Sequence, residues 1–371
     1  MKGVPLVGIF VVQLILLIAH ILICQTWFFF WPGLPPSVVT GMRIGMLVLA
    51  FTFFPAVALS FRYSNPALRL FYSGAVFWLG ILNYQFLAAL ATWPVWLVLR
   101  VAGMRGPGIG VFVSGLLSAL AVAATIFGFA NARWIRVRQH TVRLANLPAS
   151  WRGRRAVVMT DLHLGSVNGV GFSRRMARMA ANLDPDIVFL PGDLFDGVLA
   201  DMDVLLKPFK ELKPPLGTYF STGNHEEFGD VTRYTQPIAR AGIRVLDNER
   251  VTIEGVHIAG VSYRDSTHPP RVQALLDGLH LNSGHPSILL NHVPSRLPIA
   301  ERAGVSLQLS GHTHGGQAFP FTWFTRKIFG RYTHGLHSFG TMQVYTSTGA
   351  GTWGPPMRVG TQPEIVLLEF E

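Results

Sequence analysis

The chain has 371 residues, half of them hydrophobic and only 14% charged, against roughly 25% charged in a typical soluble domain. That excludes a disordered chain and argues against a wholly soluble one. A single cysteine, Cys24, excludes an intramolecular disulfide and any cysteine-clustered zinc or iron–sulfur site. The net charge of +11 is unevenly spread: residues 1–160 carry 13 Lys or Arg and no Asp or Glu, whereas residues 161–371 carry 18 and 20. A basic excess confined to the apolar half suits membrane flanks better than a groove that tracks phosphates, so no nucleic-acid partner is expected.

Charges divide the N-terminal half into apolar intervals at residues 4–30, 44–61, 70–99 and 106–132. About 20 apolar residues cross a hydrocarbon core as a helix, so four spans are predicted, the second at the short limit. The third interval is read as one span, with Pro94 the position where it could give way to a span and an interfacial turn. A cleaved signal peptide over residues 1–25 fits poorly, because the first run is too long and three more follow it. His20, inside the first span, has two readings: a proton relay, or an interhelical hydrogen bond in a region without acidic partners. With four spans, Lys2, Arg62, Arg69, Arg133, Arg136, Arg138 and Arg143 share one side and Arg43, Arg100 and Arg105 the other. Seven against three predicts an integral protein of the cell (inner) membrane with its C-terminal domain in the cytoplasm.

A transmembrane domain over residues 1–132 and a soluble domain over 133–371 are expected. Strands are predicted at 137–144, 156–160, 187–190, 216–220, 243–246, 250–254, 256–261, 287–290, 306–309, 342–347 and 364–369, with helices at 172–183 and 201–212. Short apolar runs alternating with helices predict an α/β architecture with its site at the strand carboxyl ends.

Potential metal ligands stand at those ends. Asp161 and His163 follow the run 156–160, Asp193 follows 187–190, Asn224 with His225 and Glu226 follows 216–220, His292 follows 287–290, and His312 and His314 follow 306–309. A polar residue often ends a strand to begin a turn, but five such ends in one domain point to a shared site. Carboxylate, amide oxygen and imidazole together suit Mn²⁺, Fe²⁺ or Zn²⁺, and the absence of thiolates argues against structural zinc. Seven ligands are too many for one ion and fit two ions sharing a carboxylate.

In order and spacing, Asp161-x-His163, Gly192-Asp193, Gly223-Asn224-His225-Glu226, His292 and Gly311-His312-x-His314 resemble the calcineurin-like metallophosphoesterases. The resemblance covers about residues 137–371. The run Gly311–Gln317 with the stretches Gly349–Arg358 and Pro363-Glu364 is similar to a membrane-associated bacterial branch. It implies a four-layer αββα sandwich after the membrane helices. It implies one divalent ion on Asp161, His163 and His314, a second on Asn224, His292 and His312, Asp193 bridging both, and a metal-activated hydroxide as nucleophile. His225 would face the substrate as a catalytic residue. Asp196 is read either as orienting His225 or as capping the next helix, and Glu226 either as support for the site or as a cap. His334 and His337 lie near enough in sequence to touch substrate, whereas His140, His257, His268, His280 and His285 have no motif context.

Residues 318–332 place six aromatics and three basic residues directly after the last ligands. They read either as a loop packed on the core or as an interfacial segment on anionic lipid. The leading expectation is a membrane-anchored metallophosphoesterase acting on phosphate esters or pyrophosphates of a lipid-linked substrate, with a UDP-2,3-diacylglucosamine-like molecule as one example. The alternatives are a phosphoprotein or nucleotide phosphatase and a metal-binding membrane sensor without turnover.

Overall fold

The computed structural model describes residues 6–106, 108–281 and 284–371. The chain divides into two compact units, one of residues 1–130 with 354–357 and the other of residues 131–353 with 358–371.

The first unit contains helices α1 (Leu6–Phe30), α2 (Pro36–Ala50), α3 (Phe53–Ser60), α4 (Pro66–Val101) and most of α5 (Ile109–Arg133). Among the described residues four segments, Val7–Phe30, Pro36–Ser60, Pro66–Val101 and Ile109–Arg133, are long and apolar enough to cross a membrane. The second begins eight residues earlier than charge spacing predicts. Arg43 lies within α2, its guanidinium 5.2 Å from the Phe28 ring centroid. Pro94 does not end α4, which continues to Val101. Lys2, which enters the charge asymmetry, lies outside the described residues.

Polar side chains in these helices are paired individually. Trp78 Nε1 donates to His20 Nε2 at 2.9 Å, and His20 Nδ1 lies 2.7 Å from the Leu16 carbonyl. Trp93 Nε1 donates to Thr26 Oγ1, and Trp31 Nε1 to Ser114 Oγ, each at 3.0 Å. Such bonds satisfy polar groups where no water can. His20 therefore makes the interhelical bond of its second reading. Around these pairs Leu16, Ala19, Ile23, Leu82 and Ala89 form an apolar core, while Val7, Phe10, Ile15 and Ile18 point outward.

The second unit is built on strands β1 (Arg136–Val142), β2 (Arg155–Val158), β3 (Ile187–Pro191), β4 (Thr218–Ser221), β5 (Arg244–Val245), β6 (Glu249–Ile253), β7 (Val256–Gly260), β8 (Ser287–Leu290), β9 (Leu307–Ser310), β10 (Gly335–Phe339), β11 (Met342–Thr346) and β12 (Glu364–Phe370). Its helices are α6 (Val170–Ala181), α7 (Met202–Leu206), α8 (Thr232–Arg240), α9 (Tyr263–Ser266), α10 (Pro269–Gly278), α11 (Leu297–Arg302) and α12 (Phe321–Phe329). One mixed sheet runs β1-β12-β2-β3-β4-β5 and the other β10-β11-β9-β8-β7-β6.

Strand alternation builds the layers. On β2 and β3, Ala156, Val158, Ile187 and Phe189 face the core between the sheets, joined from β8 and β9 by Ile288, Leu290, Leu307 and Leu309. Val157, Val188 and Leu190 point the other way and pack with Met176 and Ala180 of α6 and Ile238 of α8. Leu289 of β8 packs outward with Val272 and Leu276 of α10 and Ala300 of α11. Burial on both faces explains why these strands read as unbroken apolar runs. The result is the expected four-layer αββα sandwich after four long apolar helices. Sequence periodicity does not place β10, which is only partly buried, or α8, whose Thr-Arg-Tyr-Thr-Gln-Pro composition hides its buried Tyr234 and Ile238.

Candidate metal centre

Strands β2, β3 and β4 are adjacent and parallel, as are β8 and β9. Their carboxyl ends therefore open on one side. Three groups of side chains each bring one potential ligand atom per residue within 4.8 Å of the others: Asp161, His163 and His314; His163, Asp193 and His225; Asp193, His292 and His312. His163 Nε2 lies 3.0 Å from His314 Nε2, and His314 Nε2 lies 3.4 Å from Asp161 Oδ1. Asp193 Oδ2 stands between His292 Nε2 at 3.2 Å and His163 Nε2 at 3.8 Å. Asn224 Oδ1 lies 2.9 Å from His312 Nδ1.

These turns are strained. Asp161, His163, Asp193, His312 and His314 all have left-handed backbones, with φ between 46° and 66°. Each such residue costs roughly 1–3 kcal/mol and persists only where its surroundings hold it. Glu226 supplies part of that hold. Its buried carboxylate accepts from the backbone N–H of Asp193 at 3.0 Å, Phe195 at 3.0 Å and Gly223 at 2.9 Å, tying the β3 and β4 turns together. Glu226 thus braces two loops rather than capping a helix. The Asp161 carboxylate accepts from His312 N–H, and Asp193 Oδ1 from His225 N–H at 2.9 Å. A Cβ on Gly311 would collide with Asp161, and one on Gly223 with Asp193, so neither turn has room for a side chain.

His225 and Asp196 do meet, but not through the carboxylate. His225 Nδ1 donates to the Asp196 main-chain carbonyl at 2.9 Å, leaving Nε2 as the free ring nitrogen. The Asp196 carboxylate accepts instead from Val198 N–H in its own loop and from Ser166 N–H in the loop after β2. Of the two Asp196 groups that could orient His225, it is the main-chain carbonyl, not the carboxylate, that makes the bond. Phe228, exposed, packs against the His225 ring with centroids 4.6 Å apart.

Burial acts strongly here. It lowers His163 and His314 well below the ordinary histidine range and His312 to about 4. Those rings are therefore neutral near pH 7, the form that ligates a metal. Burial opposes charge on His292 too, but the facing Asp193 carboxylate raises it to about 10. Burial would raise Asp193, yet His292 and His225 hold it well below the usual range. Burial lifts Asp161 to about 6, Asp196 to about 7 and Glu226 to about 8. The donor set fits divalent cations on a specific observation: His163 Nδ1 is buried and finds no hydrogen-bond partner, and His292 Nε2, also buried, faces the Asp193 carboxylate at 3.2 Å without a well-aligned hydrogen bond. Buried polar atoms without partners are uncommon and call for an explanation. Imidazoles and carboxylates converging without thiolates match borderline metals.

Sequence reasoning places all seven ligand candidates but not Arg358, which belongs to the Gly349–Arg358 stretch yet carries no motif signal of its own. Arg358 is fully buried, with no carboxylate bonded to it. It donates to the carbonyls of His314 at 2.8 Å, Thr348 at 2.8 Å and Gly351 at 2.6 Å, and its Nη2 lies 3.1 Å from His314 Nδ1. Burial lowers it to about 10, so it stays cationic. Asn131 Nδ2 in turn donates to the Arg358 carbonyl at 2.9 Å. Tyr263, also outside the motifs, puts its ring 6.2 Å from that of His312 and 6.3 Å from that of His292. His334 is exposed, and its carbonyl lies 2.9 Å from His337 Nε2. His337 lines a separate cavity of about 290 Å³ with Thr141, Arg143 and Gln343. Neither belongs to the cluster.

A family model described as calcineurin-like phosphoesterase matches residues 154–316. A Danio rerio protein called transmembrane protein with metallophosphoesterase domain is 32% identical over 281 residues, 70% of this chain and 63% of its own length. An uncharacterized metallophosphoesterase of Helicobacter pylori is 32% identical over 220 residues, 58% of this chain and 59% of its own. One of Aquifex aeolicus is 31% identical over 269 residues, 70% of this chain and 98% of its own. The match thus spans about three fifths of the first two relatives and nearly all of the third. The chain belongs to the metallophosphoesterase family.

Proposed function

We propose that this protein is a membrane-anchored phosphoesterase that uses two divalent ions. The convergence of six carboxylate and imidazole side chains from four strand ends, with Asn224 joined to them through His312 and the buried His163 Nδ1 left unpartnered, supports the reading. Asp161, His163 and His314 would hold one ion, Asn224, His292 and His312 the other, and Asp193 both. Two such ions supply Lewis acidity, lowering the pKa of water and neutralising phosphoryl oxygens. The chain's own contribution is to hold these ligands in strained turns and to exclude water behind them. His225 is held by the Asp196 carbonyl, so its Nε2 is the atom placed to carry a proton to a leaving oxygen.

The family and the four apolar helices support a substrate reached at a membrane, a lipid-linked phosphate ester or pyrophosphate. A UDP-2,3-diacylglucosamine-like molecule is one such substrate. The charge asymmetry supports an inner-membrane protein with a cytoplasmic catalytic unit. Purified full-length protein should hydrolyse an aryl phosphate with added Mn²⁺, Fe²⁺ or Zn²⁺ and lose that activity on chelation. A panel of UDP-linked lipids, phospholipids, nucleotides and phosphopeptides then ranks the substrate classes. No turnover of any of them at full metal occupancy would favour a sensor that binds metal without reacting.

A further inference from the structure

Helix α12 is amphipathic in the wrong sense for a soluble surface. A surface helix normally turns its apolar stripe inward and its polar face to water. Here the inward positions are Thr322, Thr325 and Phe329, spaced i, i+3, i+7 and less exposed than their neighbours. A methyl group on Gly360 would meet Thr322 Cγ2 at 3.4 Å, which places that threonine against the fold. The outward positions are Phe321, Trp323, Phe324 and Ile328, exposed by 56%, 51%, 50% and 73%. No residue of α12 is buried. Phe319, just before it, is also exposed.

The charges on this helix and in the sequence around it are all positive. Between Glu301 and Glu364 there is no Asp or Glu. Arg302, Arg326, Lys327 and Arg331 in that stretch are exposed. Lys327 Nζ sits 3.9 Å from the Trp323 ring centroid, so cation and indole present one amphipathic surface. An exposed cluster of large rings invites aggregation in water. Rings with flanking cations are the composition that binds the headgroup boundary of an anionic bilayer. The four apolar segments tether this helix at high effective concentration to such a surface.

We infer that α12 is an interfacial docking helix whose outward face, Phe321, Trp323, Phe324 and Ile328 with Arg326 and Lys327, inserts at headgroup depth into an anionic bilayer. Its last residue links it to the candidate metal centre: the Phe329 ring lies 6.3 Å from that of His312, edge to face. Docking therefore sets the cluster beside lipid phosphates, a consequence that rests on the phosphoesterase reading, whereas the docking itself does not.

The test uses the full chain, singly incorporated in lipid nanodiscs, with Cys24→Ser and Phe324→Cys carrying an environment-sensitive fluorophore. The control carries the same label at Lys210→Cys, an exposed position outside α12. In discs of phosphatidylcholine with phosphatidylglycerol, the label at 324 should shift to the blue and be quenched several-fold more by spin-labelled lipid than the control. Pure phosphatidylcholine or high salt should weaken this. Arg326→Glu with Lys327→Glu should weaken it by on the order of five-fold per charge removed, at an unchanged melting temperature. Equal quenching at 324 and 210 in anionic discs would overturn the inference. So would shielding that persists in detergent and grows with protein concentration, which would assign the face to a second copy. Fluorescence needs no turnover, so the same result in an Asp193→Ala background separates failure of docking from failure of the phosphoesterase reading.

Discussion

His20 and His292 are both buried histidines, and their surroundings differ in one respect. In the helical unit His20 has both ring nitrogens occupied, one by the Leu16 carbonyl and one by Trp78 Nε1. In the sandwich His292 Nδ1 lies 2.9 Å from the Pro191 carbonyl, while its Nε2 faces a carboxylate with no hydrogen bond made. The first arrangement is complete without a ligand. The second turns the ring nitrogen toward the Asp193 carboxylate at 3.2 Å, an arrangement that a shared cation would also fit. Sequence separates them by context, His292 following a strand end and His20 standing inside an apolar span, but not by what each ring nitrogen meets. The contrast extends to the backbone: the helix carrying His20 has regular dihedrals, whereas five of the seven ligand candidates are left-handed. Five of the twelve left-handed non-glycine residues among those described are ligand candidates, so backbone strain is enriched at the site though not confined to it.

The sharpest way to break this contrast is Asp193→Ala. It should remove both ions and bring turnover to background, and elemental analysis showing two retained metals would sink the bridging role. Next is His225→Ala, which should keep both metals and lose rate by roughly 10²–10⁴-fold. The loss should be smaller with nitrophenolate, which departs without a proton, and equal losses for good and poor leaving groups would refute proton donation. Arg358→Met is expected to weaken Mn²⁺ binding by about 10–100-fold, the usual consequence of removing a group that orients a ligand. Calorimetric titration reads this, and Arg358→Lys should recover part of it if holding the His314 carbonyl is what matters. The smallest effect belongs to His20→Phe, about 0.6 kcal/mol by the average for hydrogen bonds between membrane helices. It should lower the melting temperature slightly in detergent and leave aryl phosphate turnover unchanged; a large loss of turnover would revive the proton-relay reading.

The sequence by itself determined the four apolar segments, the strands that feed the site and all seven ligand candidates. Those features are local: a span is a run of about 20 apolar residues, and a strand-end ligand sits within a few residues of its strand. Tertiary structure decided the rest. Arg358 meets His314 across 44 residues of sequence, so no local pattern marks it. Asp196 was legible as a neighbour of His225, but whether its carboxylate or its carbonyl makes the bond depends on how one loop turns. Glu226 read equally well as a cap until its three N–H partners on two separate loops were seen. The aromatic run after His314 was visible as composition, but composition does not say which side faces the fold. That choice is made by packing, which turned Thr322, Thr325 and Phe329 inward and left Phe321, Trp323 and Phe324 exposed.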